Sequence, residues 1–190
     1  MLAASSIGAI WTSCSPDFGI RGVLDRFGQV EPKILFTADG YYYNGKALDS
    51  LGKISEVLTD LPSVQMTIVF PLLTDDPAID GIPNATYWRH FIAAHDAEDI
   101  EFAQLPFDHP LYILYSSGTT GVPKCIVHGA GGTLLQHLKE QRLHCDIKSG
   151  DRAFYFTTCG WMMWNWLVSF LASDVTVVLF DGSPSYPGPD

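Results

Sequence analysis

Residues 115–124 read Tyr115-Ser116-Ser117-Gly118-Thr119-Thr120-Gly121-Val122-Pro123-Lys124, and the apolar runs 111–115 and 125–127 flank them. Glycine lets the backbone turn so that consecutive N–H groups face one anion, and Ser and Thr hydroxyls donate hydrogen bonds to phosphate oxygens. Lys124 supplies a compact positive charge at the end of the loop. Because the flanking runs are typical of strands, the pattern favours a phosphate-binding loop between two strands. Composition alone leaves a flexible surface linker as the alternative.

A second stretch, residues 40–47, nearly matches the phosphate-loop pattern G-x-x-x-x-G-K-[ST]. It ends in Ala47, so the hydroxyl that would ligate Mg²⁺ is missing. Three consecutive tyrosines would also crowd a loop whose bare backbone has to wrap phosphates. We therefore interpret this match as coincidental.

Helical and extended patterns alternate along the chain, which predicts an α/β fold of mostly parallel sheets flanked by helices. A buried helix is expected in residues 1–11 and a surface loop in residues 73–83. Helices are predicted over residues 20–30, 46–61, 86–95, 133–144 and 161–172. Strands are predicted over residues 33–37, 66–70, 111–115, 153–157 and 175–180.

The composition is that of a globular protein, with 47% apolar and 17% charged residues among 190. Asp and Glu number 21 against 11 Lys and Arg, so the formal net charge is −10. Nucleic-acid binding needs a basic face, and this balance argues against it.

The apolar stretch 161–180 could suggest a membrane span, but Ser173-Asp174 divides it into a helix-like and a strand-like part, so no span is expected. The four cysteines follow no disulfide-framework or zinc-ligand spacing. We interpret them as free thiols in a reducing compartment, the cytosol, and expect no metal site.

The loop at residues 116–124 resembles the signature loop of the adenylate-forming superfamily, which comprises acyl-CoA synthetases, luciferases and peptide-synthetase adenylation domains. The residue after the lysine is usually glycine there and is Cys125 here, which suggests a subfamily. Segments 128–132, 159–165 and 180–184 resemble the acetoacetate-activating subfamily. The similarity extends over essentially all 190 residues. It implies that the chain is part of the large N-terminal, AMP-binding domain of that fold.

The resemblance implies that ATP and acetoacetate form an acyl-adenylate and pyrophosphate, and that the thiol of coenzyme A then takes the acyl group. Acetate or propionate as the acid, or an inactive truncated product, are the alternatives. Lys124, Thr119 and Thr120 are the implied catalytic residues. The residues implied to hold the β- and γ-phosphates with Mg²⁺ are Ser116, Ser117, Gly118, Thr119, Thr120, Gly121 and Lys124.

The resemblance also places a substrate pocket at Gly160, Trp161, Met162 and Asn165, with Trp161 as a wall and Asn165 as a partner for the 3-keto oxygen. Core packing is the competing interpretation for apolar residues of this segment. Lys46 lies near the position where relatives use a basic residue for the nucleotide end of coenzyme A, although a solvated surface lysine is the favoured interpretation.

Both ends of the chain are expected to continue into further sequence. The superfamily's later aromatic-Gly-x-Thr-Glu segment, its ribose-binding aspartate and the lysine of its C-terminal lid domain are expected downstream. The 190-residue chain alone is therefore expected to be inactive.

Overall fold

The computed structural model describes residues 1–117 and 121–188. These residues form two compact units. The first combines Met1–Ser15 with Asp99–Phe180, and the second combines Pro16–Glu98 with the described residues after Phe180.

The α-helices are α1 (Leu2–Ser6), α2 (Ile20–Val30), α3 (Leu51–Thr59), α4 (Trp88–Ala93), α5 (Ala130–Lys139) and α6 (Met162–Val168). A π-helical turn, Glu140–His144, continues α5, and a 3₁₀ turn, Ser169–Ser173, continues α6. The strands are β1 (Trp11–Thr12), β2 (Ile34–Ala38), β3 (Gly40–Tyr43), β4 (Lys46–Asp49), β5 (Met66–Phe70), β6 (Ala85–Tyr87), β7 (Pro110–Tyr115), β8 (Cys125–Gly129), β9 (Arg152–Ala153) and β10 (Thr176–Val177).

The second unit is built on a parallel sheet with strand order β2-β5-β6. The central strand β5 carries Ile68 and Val69, which are fully buried. A continuous apolar run of this kind is typical of a parallel strand that is covered on both faces. Val57 and Leu58 of α3 are also buried in this unit.

A buried carboxylate fixes the loop after β5. Asp39 is 4% exposed and accepts hydrogen bonds from the backbone N–H groups of Leu72, Leu73 and Thr74 at 2.8–3.2 Å. Burial alone would raise the pKa of Asp39, but these hydrogen bonds outweigh it and hold the pKa below its usual value.

Strands β3 and β4 form an antiparallel hairpin, so the predicted helix over residues 46–61 is wrong in its first turn. Asn44 and Gly45 have φ values of 50° and 74°, as the tight turn between two hairpin strands requires. The Asn-Gly pair decides the structure here, and the helix begins only at Leu51. The residues that nearly match a phosphate-loop pattern therefore build this hairpin.

The first unit contains a sheet of order β1-β7-β8, in which β1 is parallel and β8 antiparallel to β7. Strands β9 and β10 pair in parallel beside α6 and its 3₁₀ turn. A core of Ala153, Leu167, Phe170 and Val175 holds these elements together. Parallel pairings predominate among the described strands, as predicted.

Most predicted elements are confirmed, α2 and β5 to the residue. The helix predicted over residues 86–95 is preceded by strand β6, because residues 85–87 pair with β5. The strands predicted over residues 153–157 and 175–180 are too long. Only Arg152–Ala153 and Thr176–Val177 pair, so most of both predicted strands is wrong. The expected buried helix at the start is also wrong: α1 buries no residue, and Leu2 and Ile7 are 58% and 70% exposed.

No helix within residues 1–117 and 121–188 combines the length and the hydrophobicity that crossing a membrane requires. No disulfide joins any of the four cysteines, all of which lie within the described residues. In the described part of the chain, no three His, Cys, Asp or Glu side chains are grouped as a metal site would need.

Candidate functional site

The predicted phosphate loop connects the two strands of an antiparallel hairpin, with Tyr115 of β7 opposite Cys125 of β8. The backbone N–H of Ser116 donates to the carbonyl oxygen of Lys124 at 3.0 Å. The N–H of Lys124 donates in turn to Oγ of Ser116 at 2.9 Å. These two bonds close the base of the loop, so its ends are fixed by the hairpin register.

The described part of the loop leaves polar groups available for a ligand. Oγ of Ser116 accepts a hydrogen bond from Lys124, and its own proton has no acceptor among the described residues, so this hydroxyl can donate to an anion. Ser117, Gly121 and Lys124 are exposed. Gly121 has a φ of 147°, a conformation that favours glycine. The predicted site residues Gly118, Thr119 and Thr120 lie outside the described residues.

Gly160, predicted to belong to the substrate pocket, makes a close backbone contact. A Cβ atom at this position would lie 2.5 Å from the backbone nitrogen of Ser15 and 3.2 Å from the carbonyl carbon of Cys14. Oγ of Ser13 donates to the carbonyl oxygen of Cys159 at 2.5 Å. The segment before α6 is therefore attached to the segment after β1, and only glycine fits at the contact.

The other predicted pocket residues have different environments. Trp161 precedes α6 and is 60% exposed. Asn165 is 2% exposed and its Nδ2 donates to Sδ of Met1 at 3.6 Å, while its Oδ1 has no partner among the described residues. Met162 lines a cavity of 520 Å³, whereas Gly160, Trp161 and Asn165 are not among the residues that line it.

This cavity, which we call the α5–α6 cavity, lies between the end of β8, helix α5 with its π-helical turn, and helix α6. Its volume is in the range of small-molecule sites. The sequence interpretation did not single out the α5 residues that line it, although their spacing of three and four residues marks one helical face. Lining residues beside Met162 include His128, Thr133, Gln136, His137 and Glu140.

His137 is 7% exposed, and its neighbours determine which ring nitrogen carries the proton. Its Nδ1 lies 3.0 Å from Oγ of Ser169, which also receives a hydrogen bond from Nε2 of Gln141 at 2.7 Å. The single hydroxyl proton of Ser169 is directed to the carbonyl oxygen of Trp166 at 2.6 Å. Nδ1 of His137 must therefore donate to Ser169, which leaves Nε2 as a hydrogen-bond acceptor when the ring is neutral.

Burial favours the neutral form of both histidines of the cavity. Burial lowers the pKa of His128, whose ring lies 5.1 Å from that of Tyr112. Burial also lowers the pKa of His137; the charge of Glu140 opposes this shift and His128 adds to it. The two rings therefore supply uncharged polar groups at neutral pH.

The family model described as "AMP-binding enzyme" matches residues 1–190. The chain belongs to the AMP-binding enzyme family. Lys46, for which a solvated surface lysine is the favoured interpretation, is an exposed residue of β4 in this AMP-binding enzyme.

Relatives of this AMP-binding enzyme carry specific names. An acetoacetyl-coenzyme A synthetase of Rhizobium meliloti (strain 1021) is 57% identical over 98% of the chain, which covers 29% of that protein. A malonamoyl-CoA synthetase of Penicillium aethiopicum is 50% identical over 100% of the chain, and the chain covers 27% of that protein. The structure of acetoacetyl-CoA synthetase from Streptomyces lividans matches the whole chain with a TM-score of 0.90 and 52% identity, over 28% of its own length. The chain thus spans less than a third of the length of these relatives.

Proposed function

We propose that the full-length protein carrying this chain is an ATP-dependent acid–thiol ligase that activates acetoacetate and transfers it to coenzyme A. The observation that carries the proposal is the 57% identity, over 98% of the chain, to a protein named acetoacetyl-coenzyme A synthetase. The closed loop between β7 and β8, with its exposed hydroxyl and lysine side chains, supports the same chemistry.

In the first step a carboxylate oxygen of the acid attacks the α-phosphorus of ATP and pyrophosphate leaves. A carboxylate needs no deprotonation, so the protein has to position the reactants and neutralise charge on the phosphates. Ser116 can donate its hydroxyl proton to a phosphate oxygen, because that proton has no acceptor among the described residues while the oxygen accepts from the backbone N–H of Lys124. The ammonium group of Lys124, at the other end of the loop, would lie beside the same phosphates.

The hydroxyl groups of this loop also fit the Mg²⁺ ion that accompanies ATP, since Mg²⁺ prefers oxygen ligands. When bound, Mg²⁺ neutralises phosphate charge. Ser116 and Ser117 are the described hydroxyl residues that could hold the magnesium–phosphate group.

In the second step the sulfur of coenzyme A attacks the acyl carbon, the bond from that carbon to the phosphate oxygen breaks, and AMP leaves. We further infer that the reaction takes place in a reducing compartment such as the cytosol, because no disulfide joins any of the four cysteines of the chain.

Malonamate is a second candidate substrate, because the malonamoyl-CoA synthetase of Penicillium aethiopicum is 50% identical over the whole chain. Acetoacetate and malonamate share a carbonyl group at the third carbon and differ in the group bonded beyond it, which is methyl in acetoacetate and NH₂ in malonamate. Identity alone does not separate two acids this similar.

The test is to express the full-length protein and measure AMP and thioester formation with acetoacetate, malonamate, acetate, propionate and butyrate. We expect kcat/KM to be highest for acetoacetate. Preference for malonamate would select the second candidate, and preference for acetate or propionate would replace both. A properly folded protein that releases no AMP with any of the acids would contradict the proposed ligase activity.

A further inference from the structure

We propose that Cys14 and Cys159 form a modification site, at which a peroxide oxidises the two thiols to a disulfide and so reversibly weakens binding of the acid substrate. The two cysteines are 145 residues apart in the chain, and both are half-buried in the first unit. The bond can be detected on the protein itself, whatever reaction the protein catalyses. Only its effect on the acid rests on the proposed function.

Folding brings the two cysteines into contact. Sγ of Cys159 donates a hydrogen bond to the carbonyl oxygen of Cys14 at 3.4 Å. The carbonyl oxygen and the Cα atom of one residue are about 2.4 Å apart, so this sulfur lies within about 6 Å of Cα of Cys14. A disulfide needs this separation to be roughly 4 Å. The two residues therefore have to approach each other by about 2 Å at most, part of which side-chain rotation supplies.

The backbones around the two cysteines hold them beside each other. Oγ of Ser13 donates to the carbonyl oxygen of Cys159 at 2.5 Å. A Cβ atom on Gly160 would lie 2.5 Å from the backbone nitrogen of Ser15 and 3.2 Å from the carbonyl carbon of Cys14. Residues 13–15 and 159–160 thus run side by side, so the encounter of the two cysteines is built into the fold of the first unit.

The reaction needs a two-electron oxidant, which a peroxide supplies. The thiolate of one cysteine attacks a peroxide oxygen, the O–O bond breaks, and a sulfenic acid forms while water or an alcohol leaves. The thiolate of the other cysteine then attacks the sulfenic sulfur, the S–O bond breaks, and the hydroxide takes up a proton and leaves as water. Thiol–disulfide exchange with cellular thiols reduces the bond again, so in a reducing compartment it would be transient.

The bond would act on the predicted substrate pocket through the residues that follow Cys159. Gly160 already lies against the backbone of Ser15, with no room even for a Cβ atom, so the segment cannot approach further at that point. The movement that joins the sulfur atoms therefore has to displace the segment 159–161, which leads into α6 at Met162. A small displacement of groups that position a substrate weakens its binding and slows its reaction.

The test uses the full-length protein, first reduced and then treated with hydrogen peroxide. Peptide mapping without reduction should find the Cys14 and Cys159 peptides joined, with the mass of the pair lowered by two hydrogen atoms. The KM for acetoacetate should rise about 10-fold, while the KM for ATP changes by less than about 2-fold, because the phosphate loop belongs to the β7–β8 hairpin. Dithiothreitol should restore the original KM.

Serine variants provide the controls. Cys14→Ser and Cys159→Ser should each prevent both the joined peptide and the rise in KM. Cys145→Ser removes an exposed cysteine outside the pair and should keep both.

The outcomes separate the modification site from the proposed function. A wild type without the joined peptide would overturn the inference, and so would a rise in KM that persists in Cys14→Ser and Cys159→Ser. A joined peptide with an unchanged KM for acetoacetate would overturn the effect on the substrate. A protein that forms the joined peptide but activates no acid would remove the proposed function, and with it the effect on the acid, while the modification site itself would be confirmed.

Discussion

Replacing Ser116 by alanine tests the predicted phosphate loop directly, because the structure gives this residue two roles. Its Oγ accepts a hydrogen bond from the backbone N–H of Lys124 at 2.9 Å, and its own proton, which has no acceptor among the described residues, can bind a phosphate oxygen. The neighbouring Ser117 is exposed and can offer only the phosphate contact. Ser116→Ala should therefore be more damaging than Ser117→Ala.

The expected magnitudes follow from these contacts. A neutral hydrogen bond contributes about 1 kcal/mol and one to a charged group about 2 kcal/mol. Ser116→Ala should thus cost about 3 kcal/mol, or roughly 100-fold in kcat/KM for ATP, and Ser117→Ala about 2 kcal/mol, or roughly 30-fold.

The assay is acid-dependent exchange between pyrophosphate and ATP, catalysed by the full-length protein. Ser6→Ala, which changes a half-buried serine of α1 whose hydroxyl donates to the carbonyl oxygen of Ala3, is the control and should keep the wild-type rate. The affinity for acetoacetate should change much less than the affinity for ATP. Equal effects of Ser116→Ala and Ser117→Ala, or a normal kcat/KM for ATP in both variants, would refute the reasoning.

Three further predictions concern the framework of the two units. Gly160→Ala should destabilise the protein by about 1–3 kcal/mol, because its Cβ would meet the backbone of Ser15 at 2.5 Å. Gly28→Ala in α2, where an added Cβ would have no atom within 4 Å apart from its chain neighbours and the backbone of its own helix, should stabilise the protein slightly. Thermal midpoints that shift alike in the two variants would contradict this. Asp39→Asn should cost about 2 kcal/mol at neutral pH. Folding lowers the pKa of Asp39, so its carboxylate contributes fully to the free energy of unfolding above the pKa of the unfolded state. This contribution disappears as the pH falls through the pKa of the folded state. A difference in urea midpoints between wild type and Asp39→Asn that does not change with pH would disprove this. Burial raises the pKa of Tyr112 to about 12, so the stabilisation from its neutral phenol should be lost as the pH rises from about 10 to 12. Spectrophotometric titrations of the wild type and of Tyr112→Phe measure this pKa. If the group missing from the variant titrates with the ordinary pKa of tyrosine, the prediction is wrong.

Local patterns in the sequence predicted the regular elements well where one physical signal dominated. The helical spacing of apolar residues in α2 and the apolar run of β5 fixed these elements to the residue. The prediction failed where two signals competed. In residues 46–49 the apolar residues have helical spacing. The Asn44-Gly45 turn nevertheless folds this segment back, so that it pairs with β3 as strand β4.

The sequence could not show how the predicted pocket residues are distributed. Gly160 to Asn165 are neighbours along the chain, yet Gly160 contacts the backbone of Ser15, Asn165 reaches Met1, and Met162 lines the cavity. Each contact joins residues more than 100 positions apart or depends on the packing of α5 against its neighbours. Spacing along one helix cannot predict such contacts.

By itself the sequence determined the alternation of helices and strands, the phosphate-loop pattern and the family resemblance, because each depends on residues close together in the chain. Only the tertiary structure decided that Ser116 and Lys124 close the loop, that His137 presents an acceptor, and that Glu140 shares a cavity with Met162. These properties depend on distances between segments that folding brings together, and on burial, which lowers the pKa of His137.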